Sequence, residues 1–190
     1  MKTETLALLE QYLEFLWRWN RIHSLSGAKT KEALWQNIQN SLEPLSIEGL
    51  GEQIQKKNLL LDIGSGNGFP AIPLGIALKI PTFLCEPNTK KVSFLQNCKA
   101  ELNLKNFTIL PQKIEEVTLQ SLPDLITSRA VMSITALLNK TKKILQSQSL
   151  LVFYKGSQVI KEIPSNCVYE IYQKDLRKYF VIQGATLCNG

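Results

Sequence analysis

Metal-binding chemistry has little to draw on in this chain. Its 190 residues include one histidine, His23, and four cysteines, Cys85, Cys98, Cys167 and Cys188, no two of them close in sequence. Zinc sites are built from cysteine and histidine at short spacings. There is no CxxC and no HxxxH pair, so no metal is expected. Scattered thiols of this kind read as free, which fits a reducing, cytoplasmic setting. Long apolar runs are also missing. Phe69–Leu84 is nearly uncharged, but Pro70, Pro73, Pro81 and Lys79 spoil it as a membrane span. Glu4, Glu10 and Glu14 interrupt the opening MKTETLALLEQYLEFL, so no secretory signal is expected. No repeat or low-complexity tract occurs. Acidic residues are outnumbered, 16 against 22 basic, for a net charge of +6. Such a field favours polyanions such as nucleic acid, although many soluble proteins carry it without such a partner.

What the chain does contain is an alternation. Leu6, Leu9, Leu13, Leu16 and Trp17 recur at helical spacing, so the first twenty residues read as an amphipathic helix. A second helix is expected over Thr30–Leu42, with Ala33, Leu34, Ile38 and Leu42 inward. Ser46–Asn58 is polar, carries two glycines and reads as a linker, separating a helical cap (1–45) from an α/β core (58–190) of one domain. Strands are then expected at Leu59–Ile63, Thr82–Glu86, Phe107–Leu110, Asp124–Thr127 and Leu150–Tyr154. Helices are expected at Pro70–Leu78, Thr89–Leu102 and Ser133–Leu145, and a hairpin-like pair at Val168–Tyr172 and Tyr179–Gly184. Apolar strands alternating with helices argue a parallel α/β sheet covered on both faces.

The first strand-to-helix turn is LLLDIGSGNGFP, Leu59–Pro70, with glycines at 64, 66 and 68. Ligands of such sheets sit past the carboxyl ends of the strands. Glycine there removes the Cβ that would hold a ligand away. The spacing is GxGxG, not the dinucleotide GxGxxG, and no Lys-Ser or Lys-Thr follows as in a P-loop. Glu86 ends the next expected strand, 18 residues beyond Gly68. A carboxylate there can accept two hydrogen bonds from a ribose diol. A tight structural turn and a surface carboxylate would account for either feature alone. Together they indicate an adenosine-bearing ligand crossing the glycine loop.

LLLDIGSGNG followed by Glu86 resembles the opening of class I S-adenosyl-L-methionine-dependent methyltransferases. More narrowly, DIGSGNGFPAIPLGIA, KKVSFL (Lys90–Leu95), TSRA (Thr127–Ala130) and YKG (Tyr154–Gly156), in that order, resemble the bacterial 16S ribosomal RNA guanine-N7 methyltransferase family, also called glucose-inhibited division protein B. WRWNRIHSLSG resembles the family's segment before its first loop, so the likeness runs over nearly the whole chain. It implies a Rossmann-like class I methyltransferase sheet, mostly parallel with one antiparallel strand near the C-terminus, helices on both faces and an N-terminal helical extension. It also implies S-adenosyl-L-methionine as cofactor and 16S rRNA or the 30S subunit as partner. Nothing in the sequence demands more than a monomer.

The resemblance places cofactor contacts on Gly64, Ser65, Gly66, Gly68, Phe69 and Glu86, with the adenine site at Ile114 and Glu115. Taken alone, Ile114 reads equally as core and Glu115 as a solvated charge at a helix start. Arg129, at a strand end, is implied to touch the cofactor. A guanidinium there could also hold a carboxylate or an RNA phosphate with two parallel bonds, or serve a structural ion pair. Lys155 in YKG lies past another strand end at the same rim, and it and Arg129 are the candidate active-site contacts. Candidate RNA contacts are Arg18, Arg21, Lys29, Lys31, Lys90, Lys91 and Lys155, with Trp17, Trp19 and Trp35 available to stack on bases or, more simply, to pack in the core. The chain departs from the family at His23–Ser26, where Asn-Leu-Thr is common. It departs again at Asn37 and Asn40, where histidine and aspartate are common, and at Glu86, where aspartate is usual. The first two departures touch the N-terminal region and not the cofactor loop.

The implied chemistry needs few groups. Guanine N7 carries an exposed lone pair, so no proton must leave before an in-line displacement on an activated methyl. Alignment and exclusion of water carry the catalysis. No Asn/Asp-Pro-Pro-aromatic string for amino methylation occurs, and no cysteine follows proline or threonine as cytosine C5 methylation would need. Other readings stay open on the residues alone: a methyltransferase of small molecules or proteins, a non-catalytic cofactor-binding module, or a nicotinamide-dependent oxidoreductase, against which the GxGxG spacing counts.

Overall fold

A computed structural model describes residues 3–23, 26–129, 132–155, 168–175 and 177–184, all but the side chain of Lys155. Ala130, Gly156, Cys167 and Cys188, and Ser24 and Leu25 of the HSLS departure, lie outside these. Two helices open the chain: α1 (Thr3–His23) and α2 (Lys31–Leu42). Thr30 caps α2, its hydroxyl accepting the Ala33 N–H at 3.1 Å. The sheet strands are β1 (Leu60–Ile63), β2 (Thr82–Cys85), β3 (Phe107–Leu110), β4 (Leu125–Arg129), β5 (Leu150–Lys155), β6 (Tyr169–Lys174) and β7 (Arg177–Gln183). Between them run α4 (Ala71–Leu78), α5 (Thr89–Glu101) and α6 (Ile134–Thr141), after a short α3 (Leu50–Gln55). Asn88 and Ser133 cap α5 and α6, the same device as Thr30.

One sheet holds all seven strands in the order β3-β2-β1-β4-β5-β7-β6. Every pairing is parallel except those of β7, which runs antiparallel to both β5 and β6. This is the mostly parallel sheet with one antiparallel strand that the resemblance implied. Period-2 alternation sends Leu60, Leu84, Phe107, Leu125, Leu150 and Val152 to one face and Leu61, Ile63, Ile126, Leu151 and Phe153 to the other. The first face is covered by α1 to α5, the second by α6 and short 3₁₀ segments at Ile114–Glu116 and Lys142–Ile144.

Ser46–Asn58 is not a linker. A 3₁₀ segment (Glu43–Ser46) leads into α3, where Leu50 and Ile54, four residues apart, are buried in the core shared with α1, α2 and β1. The glycine at 51 serves packing: a Cβ there would meet the Leu45 carbonyl oxygen at 2.4 Å. Trp17, Trp19 and Trp35 all pack partly buried against the same core, the simpler of the two readings.

Candidate functional site

The sheet order reverses between β1 and β4, and a cavity of about 370 Å³ opens there, past the carboxyl ends of β1, β2 and β4. Its floor is the turn after β1: Gly64, Ser65, Gly66, Asn67 and Phe69. Glu86 and Pro87, beyond β2, with Lys91 of α5, form one wall, and Arg129, the last residue of β4, the other. A crevice of this size at a strand-order switch point is where open α/β sheets bind small ligands.

The loop is shaped by left-handed glycines, with φ of 73° at Gly64, 57° at Gly66 and 88° at Gly68. Gly66 and Gly68 do different work. A Cβ on Gly66 would meet nothing closer than the Gly64 carbonyl at 3.9 Å, so the space above it is cavity. A Cβ on Gly68 would strike Ile72 at 2.3 Å and crowd the Tyr12 hydroxyl at 3.1 Å. The loop is tied down from three sides. Gly64 and Ser65 donate their N–H groups to the Cys85 carbonyl at 2.8 and 3.1 Å. Glu86, only 5% exposed, accepts the Gly66 N–H at 2.8 Å on Oε2 and the Asn88 N–H at 2.9 Å on Oε1. Tyr12, from α1, donates its hydroxyl to the Asn67 carbonyl. A carboxylate has about four lone-pair sites, so Glu86 keeps acceptor capacity after holding the loop.

Beneath the turn lies Asp62, fully buried in β1. Thr127, its register partner on β4, donates to Oδ1 at 2.6 Å, while Oδ2 has no partner. Burial pushes this carboxyl up to about 7, against the pull of the Thr127 hydrogen bond, of the nearby Ser65 hydroxyl, which itself donates to the Asp62 backbone carbonyl at 3.2 Å, and of the Arg129 charge. The Arg129 guanidinium lies 4.8 Å over the Phe69 ring, and Phe69 in turn meets Tyr12 edge-on at 5.6 Å. Its Nη1 donates to Asn37 Oδ1 of α2 at 3.3 Å. Burial draws its pKa down, opposed by Tyr12, Asp62 and Tyr154.

Gly64, Ser65, Gly66, Phe69, Glu86, Arg129 and Lys91 therefore converge on one cavity. Gly68 supports its floor. Ile114 and Glu115 do not line it. Ile114 is buried in the core with Ile63 and Cys85, and Glu115 is exposed in an ion pair with Lys140 at 2.5 Å, which holds its carboxyl below the usual range. Of the other cationic candidates, Arg18 pairs with Glu101 and Lys31 with Glu14. Lys90 donates to the His23 carbonyl at 2.7 Å, and Arg21 and Lys29 are exposed. Lys155 closes β5. Sequence reasoning passed over Asp62, Tyr12, Asn67 and Pro87, and noted Asn37 only as a departure. A signal existed for Asp62, a carboxylate inside an otherwise apolar strand.

The cavity suits an adenosine-bearing ligand with an amino-acid tail. A glycine floor admits close approach, an acid stands at the β2 end and a guanidinium faces it. The fold has a counterpart in MtNAS solved with S-adenosylmethionine, at a TM-score of 0.63 over 95% of this chain and 76% of that one, with 8% identity. The protein has the class I S-adenosylmethionine-dependent methyltransferase fold. The family model for rRNA small subunit methyltransferase G matches residues 5–183. Relatives bearing that name are 43% identical in Helicobacter bizzozeronii, over 93% of this chain and 96% of that one, and 40% identical in Aliarcobacter butzleri, over 92% and 88%. The chain belongs to the rRNA small subunit methyltransferase G family, S-adenosylmethionine-dependent enzymes that methylate ribosomal RNA.

Proposed function

We propose that this protein methylates N7 of a guanine in 16S rRNA, as a cytoplasmic monomer acting on the 30S subunit or its RNA, with the cavity beside Gly66 as the cofactor pocket. The observation that carries the reading is the open, left-handed Gly66 between Glu86 and Arg129. The bound cofactor supplies a methyl group activated by a cationic sulfur. The protein's own residues do the rest. Gly64, Ser65 and Gly66 offer backbone at close range. Glu86, already aligned by two amide donors, accepts from the ribose hydroxyls. Arg129 meets an anionic group with a guanidinium held over Phe69. The adenine end is assigned to a position beyond the lined cavity, toward the 3₁₀ segment Ile114–Glu116, whose Ile114 shares a core with Ile63 and Cys85 at the ends of β1 and β2.

No general base is required, because the N7 lone pair is already free, and the buried surroundings of Phe69 and Tyr12 help exclude water. Lys91 on the cavity wall is assigned to RNA phosphates, as are Lys90, Arg21, Lys29 and Lys155. Activity should then fall steeply with salt.

The test is labelled-methyl transfer to 30S subunits and to naked 16S RNA, both from cells lacking this gene. Reduction and strand cleavage selective for 7-methylguanine then locate the product. Label at one guanine is the expected result. Absence of label, with cofactor still bound, would redirect the search to another acceptor.

A further inference from the structure

Arg129 is usefully placed only if its guanidinium points one way, and a residue of a distant helix sets that direction. Asn37 Oδ1 accepts from Arg129 Nη1 at 3.3 Å across 92 residues of sequence. The amide cannot flip without loss, because its Nδ2 donates to the Ala33 carbonyl of its own helix at 3.1 Å, leaving Oδ1 to face Arg129. The backbone of Asn37 is fixed too. Ser41 donates its hydroxyl to the Asn37 carbonyl at 2.7 Å, and Tyr154 donates to the Ser41 carbonyl at 2.8 Å. Tyr154 is the register partner of Arg129 on β5. The strand pair that carries Arg129 thus also anchors the helix that orients it.

The partner's chemistry matters as much as its place. A partly buried guanidinium is ordinarily matched by a carboxylate. Among the described residues, no carboxylate comes within 4.0 Å of Arg129. An amide oxygen aims the group without neutralising it, and the Phe69 ring supports it at 4.8 Å from below. The charge therefore stays available to an anion entering the cavity.

We propose that Asn37 is a positioning residue that aims Arg129, through a neutral contact, at the carboxylate of the cofactor's amino-acid end. This rests on the assignment of the cavity as the cofactor pocket. The cavity lining favours the cofactor's carboxylate over an RNA phosphate, because Arg129 faces Gly64, Gly66 and Phe69 inside it.

The experiment is a double-mutant cycle read by calorimetric titration of the full chain with S-adenosylhomocysteine, which has the same carboxylate. Asn37→Ala should lower affinity about tenfold, the size of one oriented charge-assisted bond, without lowering the melting temperature, since alanine is the best helix former and suits a half-buried position on α2. Arg129→Ala should cost at least as much, and adding Asn37→Ala to it should cost nothing more. Asn37→Asp should also weaken binding, because it occupies the guanidinium's charge. Additive single effects, full affinity in Asn37→Ala, or tighter binding in Asn37→Asp would overturn the proposal. If Arg129→Ala instead leaves cofactor affinity intact and raises KM for RNA, Arg129 serves a phosphate and the proposal fails. If Gly66→Val as well leaves affinity intact, the pocket assignment itself falls.

Discussion

Replacing Asp62 by asparagine should make the protein more stable at pH 8 and change it little at pH 4. The buried carboxyl is raised from 3.8 to about 7 by desolvation, with one oxygen lacking any partner. A carboxyl whose folded pKa lies above its unfolded value binds its proton more tightly in the folded state. Its contribution to stability is therefore fully present below about pH 4 and is lost as pH rises through about 7. At 1.36 kcal/mol per pH unit, the displacement corresponds to about 4 kcal/mol of stability lost across that window. Asparagine does not titrate, and its amide oxygen can still accept the Thr127 hydroxyl that now lies 2.6 Å from Oδ1. The melting temperature of Asp62→Asn relative to the parent should thus climb by roughly 10 °C between pH 4 and pH 8, for a chain of this size. Scanning calorimetry across that range is the assay, with denaturant titration at both ends as a check on reversibility. A difference independent of pH would refute the reasoning, since it would mean the carboxyl ionises normally in place.

Other consequences are as direct. A cationic ligand in the cavity favours ionised Asp62, so cofactor affinity should rise from pH 6 to pH 8 in the parent and stay flat in Asp62→Asn, measured by calorimetric titration. Gly66→Val should abolish cofactor binding while circular dichroism stays native, because the side chain would fill open cavity from a strained left-handed backbone. Tyr12→Phe keeps the buried ring but leaves the Asn67 carbonyl without its donor. It should weaken cofactor binding several-fold at a stability cost of about 1 kcal/mol, and unchanged affinity would mean the loop holds its shape without α1.

The alternation of β1 to β5 with α4, α5 and α6 was legible because each element carries its own local pattern. Examples are short apolar strands, the turn glycines, and the Asn88 and Ser133 caps. The glycine turn and Glu86, which line one cavity, were legible for the same reason, since a turn after a first strand and an acid after the second need no knowledge of packing. What escaped was set by contacts between distant segments. α3 looked like a linker because the stretch around it is polar and carries two glycines, whereas packing against Leu45 requires the one at 51. Tyr12 sits within a leucine stripe and was passed over, although its hydroxyl reaches a loop 55 residues away. Asn37 lies 92 residues from Arg129, and no local pattern records that pair.

Those contacts bear on whether the N-terminal helices form a removable cap. α1 alone buries Leu9, Tyr12, Leu13, Phe15 and Leu16 in the core that holds Leu60, Ile72 and Phe94. Fully burying such a side chain is worth about 1.5–3 kcal/mol. Five of them rival the 5–15 kcal/mol that separates folded from unfolded in an ordinary domain. Deleting residues 1–45 should therefore yield an aggregated or molten chain, not a folded core with altered RNA recognition, and thermal unfolding would show no cooperative transition. A cooperative transition in the truncated protein would overturn this and restore the helices as a separable lid. The same arithmetic explains why the site's dependence on α1 and α2 has to be probed by single-atom changes such as Tyr12→Phe and Asn37→Ala, which remove one polar contact each and leave the apolar face that holds the domain together.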